Sequence, residues 1–332
     1  MKIVIPMAGY GTRLRPHTWS KPKPLVSAAG KPVLGHVLDM FSEISSVDEL
    51  VAIVGYLGDQ IEDYITKAYP QWEARFVNQN EMLGQSHAIW LAREGLEGPM
   101  VLAFVDTIID VDLSVLEDES AEAIAWVKEV EDPRRFGVVE LSEDGYVKKI
   151  IEKPSDPSNN LALVGFYYFK NAADLIAAIE EQMERDTQLG GEYYLADAVN
   201  IMLDDGLNMR VEQVDVWKDC GKPGPLLETN RYLLDNGRDN SQDAMQREGA
   251  VIIPPVYIAP TAAVSESVIG PYVSIGPECV VQHSVIVDSI VEGGTRIESS
   301  HLKKSIIGRQ ATVVGSHQQL NIGDSATVNA QE

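Results

Sequence analysis

The feature of this 332-residue chain that most restricts how it can fold is a period. Ile252, Ile258 and Val264 stand six residues apart, and Ile269, Ile275 and Val281 repeat the interval after a slip of one. Small residues, Gly and Pro fill the gaps between them. An ordinary β-meander has no need of a fixed period. A six-residue aliphatic repeat is the signature of a parallel β-helix, in which each hexad lays one short strand on one side of a prism. Residues 250–332 have room for roughly four such coils.

The period stops short of the polar, aperiodic stretch "RDNSQDAMQREG", which marks a domain boundary, and the chain before it has another texture. "KIVIPM", "ELVAIVGY", "ARFVNQ" and "MVLAFVD" read as buried strands. Apolar residues at helical spacing from Val33 to Ile44, "GDQIEDYITKAY" and "SHAIWLAREGL" read as the helices between them. Strands alternating with helices imply crossover units and a mostly parallel sheet, with ligands beyond the carboxyl ends of its strands. Then "EAIAWVKEV", "FGVVEL", "YVKKIIEKP" and "LALVGFYYF" follow with hairpin-like links. Two helices come next, then a final strand "MRVEQVDVWKD" and a final helix "PLLETNRYLLDNG". The expected fold is α/β: a Rossmann-like domain with a mixed sheet over residues 1–240, and a small parallel β-helix over 250–332.

Charge narrows the function. The net charge is −23, yet residues 1–38 hold Lys2, Arg13, Arg15, Lys21, Lys23 and Lys31 and no acid, so that segment is +6 and the rest is −29. An acidic surface repels nucleic acid and anionic lipid. A cationic pocket within it suits a small anionic ligand. No apolar run approaches the ~18 residues of a membrane span. The N-terminal run leads straight into a glycine loop and reads as a strand, not a signal peptide. Cys220 and Cys279 make no disulfide framework, which points to the cytoplasm.

That loop, "PMAGYGTRLRPHTWSKPKPLV", follows the first strand. Its glycines let backbone N–H groups approach phosphate oxygens, and Arg13 and Lys23 add full charges. It fits neither a P-loop nor the dinucleotide fingerprint. It does resemble the A-G-x-G-T-R-L-x-P signature of sugar-1-phosphate nucleotidyltransferases, with Pro22-Lys23-Pro24 following. The likeness extends over the whole first domain, through "QNEMLGQSHA", "FVD", "FGVVE", "EKP", "LALVGFYYF" and "WKDCGKP". The repeat resembles the left-handed β-helix that many members carry, above all the long-form glucose-1-phosphate thymidylyltransferases.

The resemblance implies a set of roles. Ala8, Gly9, Gly11, Thr12, Gln79 and Gly84 would bind the nucleotide, Gln79 through a pyrimidine edge. Gly137, Glu152, Val164 and Gly165 would hold the sugar. Asp106 and Asp219 would ligate Mg²⁺, which takes oxygen ligands plus substrate phosphates. Arg13 and Lys23 would act on the triphosphate, and Lys153 on the sugar phosphate. Val105 stands where the family commonly has Gly, and Gln85 where it has a small residue. His87 reads as a hydrogen bonder behind the base site and Trp90 as core, with Glu192 and Asp197 near the sugar end.

The implied reaction is attack of a hexose 1-phosphate on the α-phosphorus of an NTP, dTTP or UTP, with loss of pyrophosphate. Two unit charges about 4 Å apart repel by ~4 kcal/mol at an effective dielectric of ~20, so the substrates meet only among cations. Left open are a mannose-1-phosphate guanylyltransferase, a non-catalytic sugar-nucleotide sensor, and a bifunctional enzyme whose β-helix adds acyl transfer through His283, His301 or His317. Stacked coils with open edges imply a homo-oligomer formed through the β-helix.

Overall fold

The structure is a computed structural model and describes residues 1–44, 47–113, 116 and 120–315. It divides into two compact units, Met1–Thr229 and Asn230–Glu332.

Among the described residues, the first unit is built on a nine-stranded mixed sheet. β1 (Lys2–Pro6) leads into the glycine loop and the small hairpin β2 (Ser27–Ala28) and β3 (Lys31–Pro32). Then come α1 (Val33–Met40), β4 (Glu49–Val54), α2 (Gly58–Ala68), β5 (Ala74–Asn78), α3 (Gln85–Leu91) and β6 (Met100–Ala103). These four large strands run parallel in the order β6-β1-β4-β5, as the alternating pattern predicts. Residues such as Ile3, Val4, Ile5, Val51 and Ile53 are fully buried, because helices cover both faces of such strands.

The parallel run ends at β6. After β7 (Thr107–Ile109) come β8 (Ala123–Glu129), β9 (Gly137–Leu141), β10 (Val147–Glu152) and β11 (Leu161–Phe169). β11 pairs antiparallel with β6, β8 and β9, and β10 pairs antiparallel with β9. α4 (Ala172–Glu184), α5 (Leu195–Asp204), β12 (Met209–Gln213), β13 (Trp217–Asp219) and α6 (Pro223–Leu233) complete the order.

Two strand expectations need correction. "MRVEQVDVWKD" is not one strand: β12 joins the large sheet beside β8, while β13 leaves it and pairs antiparallel with β7. The apolar alternation slips phase at Glu212-Gln213, next to the point where the chain changes sheets, and Val214 N–H still reaches Val127 O at 3.0 Å. Likewise Asp106 does not end β6. It sits in the turn between β6 and β7, three residues past Ala103.

Among the described residues of the second unit, twelve short strands wind through three parallel sheets of four strands each. One sheet stacks β14 (Ala250–Ile252), β17 (Ser267–Ile269), β20 (Val285–Val287) and β23 (His301–Lys303). The second stacks β15 (Val256–Ile258), β18 (Val273–Ile275), β21 (Ile290–Val291) and β24 (Ile306–Ile307). The third stacks β16 (Ala263–Ser265), β19 (Val280–Gln282), β22 (Arg296–Glu298) and β25 (Thr312–Val314). This is the left-handed parallel β-helix. The register stacks like on like: Ile252 on Ile269 on Ile286, Ile258 on Ile275 on Val291, Val264 on Val281 on Ile297, all buried. The corners recur as well, with Glu266, His283 and Ser299 in one column and Tyr272, Asp288 and Lys304 in another, every one at positive φ. The polar stretch before the repeat carries the short helix α7 (Ser241–Ala244) and belongs to this unit, in which Asn240 caps β15 by accepting from Ile258 N at 2.9 Å.

Candidate active site

The glycine loop after β1 is held in shape by its own chain. Gly11 sits at φ 61°, and a Cβ there would lie 2.8 Å from Lys23 Cβ, so only glycine lets the two arms of the loop close together. Thr18 Oγ1 donates to Gly11 O at 2.9 Å, and two short 3₁₀ turns, Thr12–Leu14 and Lys23–Leu25, carry Arg13 and Lys23. Ala8, Gly9, Gly11, Thr12, Gln79 and Gly84 all face one cleft of about 560 Å³.

Gln79 is buried, and its amide Nε2 donates to Gly84 O at 3.1 Å and lies 3.2 Å from His87 Nδ1. The side chain is therefore braced by the loop it was expected to share with a base. Burial lowers the pKa of His87 against the pull of Glu81, which favours the neutral ring. Trp90 is only partly buried, with Arg93 stacked 3.9 Å from its ring centre.

A smaller lobe of about 180 Å³ adjoins the cleft and shares Arg13, Gln85, Phe104 and Asp106 with it. Gly137, Glu152, Val164 and Gly165 line this lobe, as does Asp219. Its wall exists because β11 bulges: two more residues separate Leu163 from Tyr167 than separate their partners on β8. Gly165 sits in that bulge at φ 84°, and a Cβ on it would come within 2.7 Å of Phe104 Cδ2.

Asp106 lies at the junction. The Lys23 ammonium bonds its Oδ2, and Arg13 Nη2 is 4.0 Å from the same oxygen. Burial pushes this carboxyl up, but Lys23 and then Arg13 outweigh it and hold it below the ordinary aspartate range. Gly221 shows how near the second carboxylate is: a Cβ on it would lie 2.8 Å from Asp219 Oδ1 and 3.3 Å from Asp106 Oδ2. Cys220 N also donates to Asp106 O at 2.9 Å, which ties the β13 turn to the β7 turn. Asp219 Oδ1 accepts from Gly221 N at 2.6 Å, so it shapes its own turn too. Among the described residues no group of three or more His, Cys, Asp and Glu side chains forms a ready-made metal cage. Two neighbouring carboxylates on an open cleft nonetheless fit an ion that completes its shell with substrate oxygens.

Glu152, at the end of β10, has its pKa raised chiefly by burial, with the charges of Asp197 and Glu192 adding to it and Lys153 opposing. Lys153 lines neither lobe. Its backbone is left-handed (φ 46°), and its ammonium donates to Tyr194 Oη at 2.6 Å and lies over that ring. Glu192 lines the cleft; Asp197 has its pKa raised by burial.

Sequence reasoning passed over Arg135, Phe136, Tyr167 and Trp217, which all line the smaller lobe. Strand alternation gave no hint for Trp217, since β13 is too short to show a period. The adjacent arginines of "DPRRFG" were a legible signal, being a second cationic pair in an acidic chain.

In the second unit, His283 pairs with Glu266 at 2.5 Å at one corner, His301 is exposed on β23, and His317 lies outside the described residues.

The Nucleotidyl transferase family model matches residues 2–236, and the model of the GMPPB C-terminal domain matches residues 252–331. The chain belongs to the nucleotidyl transferase family and is a transferase of that kind. It is 32% identical over 95% of its length to a glucose-1-phosphate thymidylyltransferase of Streptomyces griseus, covering 94% of that protein. To the low-salt glycan biosynthesis nucleotidyltransferase Agl11 of Haloferax volcanii it is 33% identical, with 94% of each chain covered. In fold it is similar to a UDP-glucose pyrophosphorylase solved with UDP-glucose, at a TM-score of 0.61 and 23% identity over 70% of this chain and 98% of that one. No helix among the described residues is long and apolar enough to cross a membrane.

Proposed function

We propose that the chain joins a nucleoside triphosphate to a hexose 1-phosphate, forming a nucleotide sugar and releasing pyrophosphate. The observation that carries this is the shared wall: Arg13 and Asp106 face both the cleft lined by the glycine loop and the lobe lined by Glu152. A triphosphate in the first and a sugar phosphate in the second would meet at those two residues.

The chemistry needs no protein nucleophile. A sugar-phosphate oxygen, already anionic, forms the new bond to the α-phosphorus, and the bond from that phosphorus to the bridging oxygen breaks. Pyrophosphate leaves with the electron pair. Arg13 and Lys23 offset its charge, and Glu152 accepts hydrogen bonds from sugar hydroxyls. Asp106 and Asp219 would hold Mg²⁺, which when bound supplies charge to draw the phosphates together. Lys153 reaches the sugar phosphate on leaving Tyr194. Gln79, Gly84 and the glycine loop take the nucleotide, with dTTP or UTP favoured by the thymidylyl and uridylyl relatives, the latter an AglF of Haloferax volcanii. Two buried free cysteines favour the cytoplasm. Functionally, residues 1–240 form the catalytic domain and 250–332 the β-helix.

A panel of four NTPs against glucose, mannose, galactose and N-acetylglucosamine 1-phosphates, read by pyrophosphate release, tests the reading. At least one pair should turn over at ~1 s⁻¹ or faster with Mg²⁺. Binding of a nucleotide sugar without release by any pair would make the chain a sensor.

We also propose self-association through the β-helix. Val251, Val268 and Val285 stand in register beside the buried ladder, and Val251 is 59% exposed. Such an aliphatic column on a flat sheet suits a second copy of the same face. Val268→Glu should lower the mass in light scattering, and an unchanged mass would sink the idea.

A further inference from the structure

The smaller lobe has an electrostatic problem. If it receives a sugar phosphate, as the reading above requires, a dianion enters a space whose wall holds Asp106, Glu152 and Asp219. The cations nearby are engaged. Lys23 is bonded to Asp106, and Arg13 Nη2 lies 4.0 Å from it. Lys153 is bonded to Tyr194 and 3.8 Å from Glu152. Arg134 is held in a fork by Asp132, with Nε and Nη2 donating at 2.8 and 3.0 Å.

Arg135 differs from all of these. It lines the lobe, yet among the described residues it has no hydrogen bond or ion pair. Its guanidinium lies 5.7 Å from the centre of the Phe136 ring, and its charge acts on Asp132 at a distance. The segment carrying it is well anchored. Asp132 Oδ1 accepts Arg134 N at 3.2 Å, Phe136 N donates to Pro133 O at 2.9 Å, and Lys153 N donates to Phe136 O at 3.0 Å. One arginine of the pair fixes the turn, and the other is left facing the lobe. A planar guanidinium with two parallel N–H bonds matches a phosphate dianion better than an ammonium does.

We propose that Arg135 binds the phosphate of the sugar 1-phosphate and is the cation that admits it to the lobe, ahead of Lys153. The side chain touches only that substrate, so its loss should separate the two substrates kinetically. In full-length protein with a pair that turns over, Arg135→Ala should raise KM for the sugar 1-phosphate by about ten- to hundredfold, the usual worth of a charge-assisted pair. KM for the NTP and the melting temperature should stay as they are. Arg135→Lys should recover part of the loss, and guanidinium ion added to the Ala variant should restore some activity. An unchanged sugar-phosphate KM overturns the inference. So does an equal rise in the NTP KM, which puts Arg135 on the triphosphate, or a lowered melting temperature without guanidinium rescue, which makes its role structural. Calorimetric titration with the sugar 1-phosphate keeps the two readings apart. Arg135-dependent binding without turnover overturns nucleotidyl transfer alone; turnover with Arg135-independent binding overturns this inference alone.

Discussion

In the β-helix one position does the same work in every coil, whereas in the first unit each functional side chain has a place in the chain that no other repeats. Ile258, Ile275 and Val291 are interchangeable members of a ladder. Asp219 and Glu152 end two different strands, Asp106 sits in the turn between β6 and β7, and the three line one lobe where the chain bulges at Gly165 and turns at Gly221. The ladder gains stability from sameness, each member burying its aliphatic surface on the last. The site keeps charged groups close together and partly buried, which works against stability and for chemistry. Mutations should therefore divide cleanly: those in the site should cost rate, those in the ladder should cost folding.

The sharpest way to break this division is Asp106→Asn. The carboxylate is held ionised by Lys23 and Arg13, and the substitution removes the charge of one of the two neighbouring carboxylates proposed to hold Mg²⁺. Turnover should fall by about 10²–10³ or more, the scale seen when one preorganised electrostatic group is removed. Melting should barely change. Wild-type rate at limiting Mg²⁺ would show that Asp106 is not a ligand.

A smaller effect is expected from the ladder. Ile275 is fully buried between Ile258 and Val291, and Ile275→Ala should destabilise the chain by about 2–4 kcal/mol through lost burial and the cavity left behind. Denaturant unfolding measures it, and kcat per folded chain should stay constant. A large fall in kcat at full folding would mean that the two units are not functionally separable.

The same contrast explains what was legible in the sequence. The repeat announced its own architecture, because six aliphatic positions at one interval leave few alternatives, and all six are buried. Of the parallel strands from Lys2 to Ala103, β1, β4 and β6 read equally well, since burial on both faces makes them apolar runs; β5, expected to be buried, is the edge strand and only partly buried. The site residues were named from a motif, not from periodicity, and the structure places all of them but Lys153 along the two lobes. Trp217 was not legible, and Arg135 only as one of the paired arginines of "DPRRFG". Their role depends on where a turn and a three-residue strand point, which no spacing encodes. The change of sheets between Gln213 and Trp217 left only a slip of phase at Glu212-Gln213, which by itself does not say that the next strand pairs elsewhere.

The smallest predicted effect would sharpen the comparison most, because it has the opposite sign to a ladder mutation. Burial, aided by Asp197 and Glu192, raises the pKa of Glu152 above that of the unfolded chain, so the folded protein binds this proton more readily. A raised carboxyl favours the folded state fully below its unfolded pKa, and that advantage is lost as pH rises through the folded value. At neutral pH the ionised Glu152 is therefore a cost carried by the substrate-free protein. Glu152→Gln keeps the shape and removes the charge. It should melt higher than the wild type at pH 7, by about 2 °C for a chain of this size if ~1 kcal/mol or less is relieved. The gap should shrink as pH falls toward the ordinary glutamate range, where wild-type Glu152 is protonated as well. Melting temperatures of both proteins from pH 4 to 8, without substrate, measure it. A Gln variant that is less stable than wild type at pH 7 would show that Glu152 is held by favourable contacts in the folded chain, and that the site is not under the electrostatic load that sets it apart from the ladder.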